Sequence, residues 1–279
     1  MKQELWKYSI LEIFEGYNEQ KFSPLELTKE IIKKVKLDNT KLNAYVFFDE
    51  ESILEQASVS TVNYDKNSTR GMLEGIPISI KDLIVTRDMP TNRGTLTSSL
   101  PTQSEYDAPV VKKLKQQGAI ILGKTASPEF GHKGTTQSLK HGNTNNPWNL
   151  SMNAGGSSGG SSAAVAAGLG PASIGTDGGG SIRIPCSFCG LFGHKPTFGR
   201  IPAYPISPFG TIANLGPISR TVKDSGVIMN AIANLDIQDW HSLPNDKQNY
   251  IIYEKENIKK LKIGYSKLWG MDKYFEFNL

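Results

Sequence analysis

The run Ala119-Ile120-Ile121-Leu122-Gly123 is apolar throughout its centre and sets no polar residue aside for solvent. Such a run reads as a strand buried on both faces, the kind found inside a sheet covered by helices. Upstream of it, Asp107 to Gln117 reads as a capped amphipathic helix. Earlier still, Gly75-Ile76-Pro77-Ile78-Ser79-Ile80 alternates like a short strand with its proline near the start, and it delivers Lys81-Asp82 at its end. Ser23-Pro24-Leu25-Glu26 supplies a cap, a proline at the first helical position and a reciprocating Glu, followed by Leu27, Ile31, Ile32 and Val35 on one face, which predicts a helix. Downstream, Ser161 to Ala167 reads as helix and Pro171 to Thr176 as a short strand. Between them and the central run, Thr125 to Met152 is rich in Gly, Asn, Thr and Pro and reads as a long surface connection. The alternation predicts the α/β class, with a mostly parallel or mixed sheet. It also predicts a single domain over 1–279, with a helical N-terminal segment to about residue 70 and a core from about residue 71 onward.

Composition narrows the function classes. With 279 residues and 38% hydrophobic content the chain can bury a large core. A net charge of +4 from 31 basic and 27 acidic residues is too mild to argue for nucleic acid as a partner. The basic runs at 32–36 and 259–262 sit among apolar residues at helical spacing and read as solvated helix faces. Charges at Lys2, Glu4 and Lys7 interrupt any secretory core, and nowhere do about 18 apolar residues run together, so a cytoplasmic protein with no membrane partner is expected. Cys186 and Cys189 form a Cys-x-x-Cys with no second pair, and the four histidines are scattered, so neither a zinc site nor redox use is expected.

The chemistry concentrates in Ala154-Gly155-Gly156-Ser157-Ser158-Gly159-Gly160-Ser161-Ser162 and in Gly175-Thr176-Asp177-Gly178-Gly179-Gly180-Ser181-Ile182-Arg183-Ile184-Pro185. Both segments are too glycine-rich for ordinary helix or strand. Glycine lets backbone N–H groups converge on one point, as an anion or a developing oxyanion requires. The phosphate reading fails on spacing: Gly160 is followed by Ser161 with no lysine, and no G-x-G-x-x-G occurs in either segment. A flexible linker does not fit the apolar Ala163-Ala164-Val165-Ala166-Ala167 that follows. A nucleophilic serine fits. Gly155-Gly156-Ser157-Ser158-Gly159 matches the G-x-S-x-G elbow of α/β-hydrolases, which would call on Asp224 or Asp236 with His241 as acid and base.

The two segments, continued by Cys189-Gly190-Leu191-Phe192-Gly193-His194-Lys195-Pro196-Thr197 and joined by Gly75 to Asp82 upstream and Leu215 to Val222 downstream, resemble the amidase signature family. The resemblance runs from about Lys21 onward and implies the amidase signature fold, a mixed β-sheet core covered by helices on both faces. Carried over residue by residue, it implies Ser181 as the acylated nucleophile, Ser157 as the bridging serine behind a cis peptide bond, and Lys81 as the base. The mechanism so implied requires Lys81 to be neutral, its pKa lowered from about 10.4 by burial. The backbone N–H groups of Gly178, Gly179, Gly180 and Ser181 would form the oxyanion hole, while Ser158, Asp177 and Arg183 would support the loops. The chain departs from the family pattern at Ala154, Gly178 and His194, none of which removes a reacting group; His194 reads as a partly buried polar residue.

The implied activity is hydrolysis of a small-molecule carboxamide, with no cofactor and with a homodimer as a compatible assembly. The family takes in freestanding amidases, fatty-acid-amide hydrolases and the A subunit of the glutamyl-tRNA(Gln) amidotransferase. Thr125 to Gly131 and Arg200 to Pro205 resemble the freestanding amidases more, and the amidotransferase component is the alternative. Family members are longer: Leu261-Lys262-Ile263-Gly264-Tyr265 resembles the strand that opens their second half, so the C-terminal part of the fold is expected to be missing here, and a catalytically silent domain is a further reading.

Overall fold

The computed structural model describes residues 4–97, 102–245 and 248–251, with Lys262 and Gly264. The strand expected over 261–265 and the basic run at 259–262 otherwise fall outside these residues.

Three helices open the chain: α1 (Ile10–Asn18), α2 (Pro24–Leu42) and, after the short strand β1 (Tyr45–Phe47), α3 (Glu50–Asp65). In α2 the expected cap is formed: Ser23 Oγ accepts from the Glu26 amide, and Glu26 returns its carboxylate to the Ser23 amide at 2.8 Å. Its apolar stripe, Leu27, Ile31, Ile32 and Val35, is buried, while Lys33 and Lys36 face solvent, as the periodicity predicts. Asn43 ends the helix in the left-handed conformation at φ 52°.

The core is a six-stranded mixed sheet. Its strands are β1, β2 (Pro77–Lys81), β3 (Ile120–Thr125) and, after four strands of the 137–153 segment, β8 (Ala172–Asp177), β9 (Phe192–Gly193) and β10 (Asn214–Ser219). They lie in the order β1-β3-β2-β8-β10-β9. Strand β2 runs parallel to both β3 and β8; β1, β9 and β10 are antiparallel to their neighbours. Every residue of β2, β3 and β10 is buried, so both faces of the sheet are covered. Helices α3, α5 (Gly159–Ala166) and α7 (Val222–Ile232) pack on it, with α4 (Pro109–Gln116) against α7 and α6 (Arg183–Cys189) against α5. This is the mixed sheet with helices that the sequence predicts.

Three local expectations need correction. Asp107 does not cap α4; its carboxylate instead accepts from the Arg87 amide at 2.9 Å and from Lys115 Nζ at 2.7 Å, and α4 starts at Pro109. The stretch after Thr125 is more than a surface connection. It folds into two small hairpins, β4 (Gln137–Ser138) with β5 (Gly142–Asn143) and β6 (Asn145–Asn146) with β7 (Asn149–Asn153), and it buries Thr136 and Thr144 fully enough to anchor the serine loop. The glycine-rich segments also enter regular structure, for Gly159-Gly160 opens α5 and Gly175-Thr176-Asp177 closes β8. The reason is close approach: a Cβ on Gly160 would stand 2.3 Å from the Ala126 amide nitrogen, so only glycine lets this helix sit against the end of β3.

Candidate active site

The parallel strands β2 and β8 lie side by side, and their C-terminal ends hold the candidate site residues. Lys81 is the last residue of β2, and Thr176-Asp177 ends β8. From the other side, the loop 154–158 enters α5 and places Ser157, 1% exposed, against Lys81, which is fully buried. Lys81 Nζ lies within hydrogen-bond distance of two hydroxyls, 2.6 Å from Ser157 Oγ and 2.8 Å from Thr176 Oγ1. Burial drives the Lys81 pKa well below its ordinary value, and the charge of Asp177 opposes that without reversing it. The Gly156–Ser157 peptide is cis.

Ser181 stands in the turn between β8 and α6 and lines the same cavity as Ser157 and Thr176. Its carbonyl accepts from the Ser158 amide at 3.0 Å, which ties the two serine loops together. Ser158 Oγ adds a bond to the Thr176 carbonyl at 3.1 Å. Among the described residues the Ser181 hydroxyl has no hydrogen-bond partner. The turn is shaped by Asp177: its Oδ1 accepts from the Gly180 amide at 2.8 Å and its Oδ2 from the Ile182 amide at 3.1 Å, while Arg183 clamps both oxygens at 2.9 Å. Burial pushes the Asp177 carboxyl up, but these hydrogen bonds, Arg183 first, outweigh it and hold the pKa at about 2.

This arrangement corrects the expected oxyanion donors. The Gly180 N–H is already spent on Asp177, so it is not free to bind an oxyanion. The amides of Gly178, Gly179 and Ser181 make no hydrogen bond among the described residues, and all three residues line the cavity. These three donors lie in the same turn as the Ser181 hydroxyl.

Several residues of the site carry no role in the sequence reading. Thr176 is the second acceptor on Lys81. Thr136 Oγ1 accepts from the Gly159 amide at 2.9 Å and holds the entry to α5. Phe130 to Gly134 form one wall, with Phe130 at φ 49° and Gly131 so close to Ser157 that a Cβ there would sit 3.3 Å from Ser157 Oγ. The signal for Thr176 lay within the motif Gly175-Thr176-Asp177; the wall has no local signal, because it is placed by tertiary contacts.

The cavity measures about 660 Å³, and its remaining lining is mainly aliphatic and aromatic, including Leu83, Ile184, Tyr204, Phe209 and Ile212. The elbow alternative does not assemble there. His241 lies beside Asp239 and the Phe198 ring, and Asp224 accepts from the Ile10 amide at 2.8 Å; neither lines the cavity. His194 is half-buried and stacked on Phe192, also away from the site. Cys186 and Cys189 are both buried in α6, where burial pushes each thiol to about 12. Among the described residues there is no group of three or more His, Cys, Asp or Glu placed to hold a metal, and no helix long and apolar enough to cross a membrane.

The chain is 39% identical over 267 residues to the A subunit of the glutamyl-tRNA(Gln) amidotransferase from Sulfurihydrogenibium sp., covering 95% of this chain and 54% of that protein. The corresponding protein of Acinetobacter baumannii is 38% identical over 268 residues, with the same coverage. Among solved structures, a bacterial aryl acylamidase of the amidase signature enzymes superposes with a TM-score of 0.80 at 33% identity, covering 88% of this chain and 51% of that one. The peptide amidase of Stenotrophomonas maltophilia does so with a TM-score of 0.80 at 29% identity, covering 88% and 52%. The chain thus spans about half the length of the relatives it matches. The family model named Amidase matches residues 26–276, nearly the whole chain. The protein belongs to the amidase signature family.

Proposed function

We propose that this chain carries the catalytic machinery for hydrolysing a linear carboxamide through an acyl-enzyme on Ser181. The observation that carries the reading is a fully buried lysine, its pKa lowered by desolvation, hydrogen-bonded to a buried serine hydroxyl. A neutral Lys81 takes the proton of Ser157 as Ser157 takes that of Ser181, and Ser181 Oγ attacks the amide carbonyl. The amides of Gly178, Gly179 and Ser181 receive the oxyanion, each donor worth roughly 3 kcal/mol on mutational precedent. The proton then passes back to the leaving nitrogen, which departs as ammonia or an amine. Water attacks the acyl-enzyme by the reverse relay and releases the carboxylate. Asp177 and Arg183 hold the turn that aims the donors, and Ser158 holds the two serine loops together.

The apolar wall supports an amide with an apolar acyl group, as a freestanding amidase would take. A second reading rests on the 38–39% identity to the amidotransferase relatives: the amide would be glutamine, and the released ammonia would be passed on in a larger assembly. Incubation with a fluorophosphonate, with the adduct located by peptide mass spectrometry, tests the shared chemistry. Labelling at Ser181 that is lost in Lys81→Ala and kept in His241→Ala supports it. Labelling at Ser157 or Ser158, or none in a folded chain, overturns it. Ammonia release from glutamine set against release from aryl and alkyl carboxamides then separates the two substrate readings.

A further inference from the structure

A second buried lysine lies one strand away from Lys81 and takes no part in the relay. Lys124, near the end of β3, is fully buried, and its Nζ is surrounded by three oxygens: the Ile84 carbonyl at 2.5 Å, Thr91 Oγ1 at 2.8 Å and Thr86 Oγ1 at 3.3 Å. All three belong to the loop 82–95 that leaves β2 directly after Lys81. The loop is closed at its neck by Asp82, whose Oδ1 accepts from the Asn92 amide at 2.9 Å and whose carbonyl accepts from the Arg93 amide at 3.1 Å. It is a compact Ω-shaped loop with its ends together and an ammonium in its middle.

Donor arithmetic specifies the charge state that this centre needs. The Thr86 hydroxyl already donates to the Met89 carbonyl at 2.8 Å, and the Thr91 hydroxyl points to the Ile84 carbonyl at 3.4 Å. Both hydroxyls therefore face Lys124 with lone pairs, and three acceptors require the three N–H bonds of an ammonium; a neutral amine supplies two. The outer surface of the same loop forms part of the cavity, through Leu83, Ile84, Val85 and Arg93.

We propose that Lys124 is a positioning residue, the tethered central cation of loop 82–95, which fixes the cavity wall beside Ser157 and Ser181. It touches neither of those serines; it acts through the loop. The inference rests on the reading of Ser181 as an acylating residue, and it adds a second, opposite requirement on protonation. Lys81 must be neutral to act, whereas Lys124 must be charged to hold the wall. Burial lowers the Lys124 pKa to about 7; Asp82 opposes this from the end of β2, Arg93 in the loop adds to it, and Asp107 ahead of α4 opposes it weakly. Beyond Asp82 stands His141, its Nε2 3.9 Å from Asp82 Oδ2, with neither atom hydrogen-bonded. As pH rises through the Lys124 pKa the third donor is lost, so substrate capture weakens on the alkaline side.

The test compares wild type, Lys124→Met, Thr91→Val and the exposed-lysine control Lys112→Met in the full chain. Two readouts are taken: amide hydrogen exchange of residues 82–95, and the concentration dependence of fluorophosphonate labelling against pH. The expected result for Lys124→Met is about tenfold faster exchange across the loop and about a tenfold higher half-saturating probe concentration, the size of a lost charged hydrogen bond. The maximal labelling rate changes far less, and the alkaline rise in half-saturation disappears. Thr91→Val moves both readouts the same way by a smaller factor and decides the matter if Lys124→Met does not fold; Lys112→Met leaves both unchanged. Unchanged exchange, or faster exchange with unchanged half-saturation, overturns the proposal. Exchange is read without any reaction, so absent labelling in wild type would sink the acyl-enzyme reading while exchange still decides whether Lys124 holds the loop.

Discussion

At the scale of single residues, the site is a matter of where two lysines may keep a proton. Lys81 sits among uncharged hydroxyls with Asp177 as its nearest opposing charge, and Asp177 is itself neutralised by Arg183, so desolvation prevails. For the proposed mechanism the sign follows directly. Below the lowered pKa the lysine is charged and the relay has no base; above it the base is present. The acylation rate at saturating probe is therefore expected to rise with pH through a pKa well below 10.5 and then level off, and a flat profile would count against Lys81 as the base. Thr176→Val removes the second acceptor while keeping the side chain's shape. A fall of about tenfold in the acylation rate with little change in melting temperature is expected, the size of one hydrogen bond to a charged or polarised group. Lys81, Ser157 and Ser181, the side chains that the proposed mechanism uses, were legible in the sequence because the motif around each is long. Thr176 stood inside one of those motifs without a role, since its use depends on which strand lies beside β2.

At the scale of elements, the readable parts were those whose signals are local. The capping box of α2 and its apolar stripe need only a few neighbouring residues to make sense, and both were predicted as observed. Asp107 shows the limit: its position before a helix suggests a cap, but Arg87, twenty residues upstream, and Lys115 claim its carboxylate. The glycine pairs show the same limit from the other side. Gly159-Gly160 lowers helix propensity by about 1 kcal/mol per residue, yet α5 starts there because Thr136 beside Gly159 and the Ala126 backbone beside Gly160 leave no room for a side chain. Gly160→Ala is therefore expected to destabilise the chain by about 1–3 kcal/mol despite the better helix former, through overpacking against the end of β3. Denaturant unfolding monitored by far-UV circular dichroism checks this, and a gain in stability would remove the close-approach argument.

At the scale of the whole molecule, the mixed sheet is what brings Lys81 and Thr176 together, because β2 and β8 are parallel neighbours whose carboxyl ends point the same way. Ile78, Ile80 and Ile174 on these strands are all fully buried and belong to the main apolar core. Ile174→Ala is expected to cost about 2–5 kcal/mol of stability. Because the site is built on the same strands, its labelling with a fluorophosphonate should fall at temperatures where the wild type is still fully folded. Normal labelling up to the wild-type melting temperature would show that the site does not depend on this packing.

The sequence by itself determined the α/β class, the capped helix α2, the apolar strands and the motifs that hold Lys81, Ser157 and Ser181. Each is written in residues close together in the chain, as periodicity, caps or unbroken motifs. Only the tertiary structure decided the order of the strands, the loss of the Gly180 amide to Asp177, the wall built from Phe130 to Gly134, and the burial that lowers the Lys81 pKa. Those depend on desolvation and hydrogen bonding between segments far apart in the chain, and no local pattern records which distant group arrives to claim a donor or exclude the water.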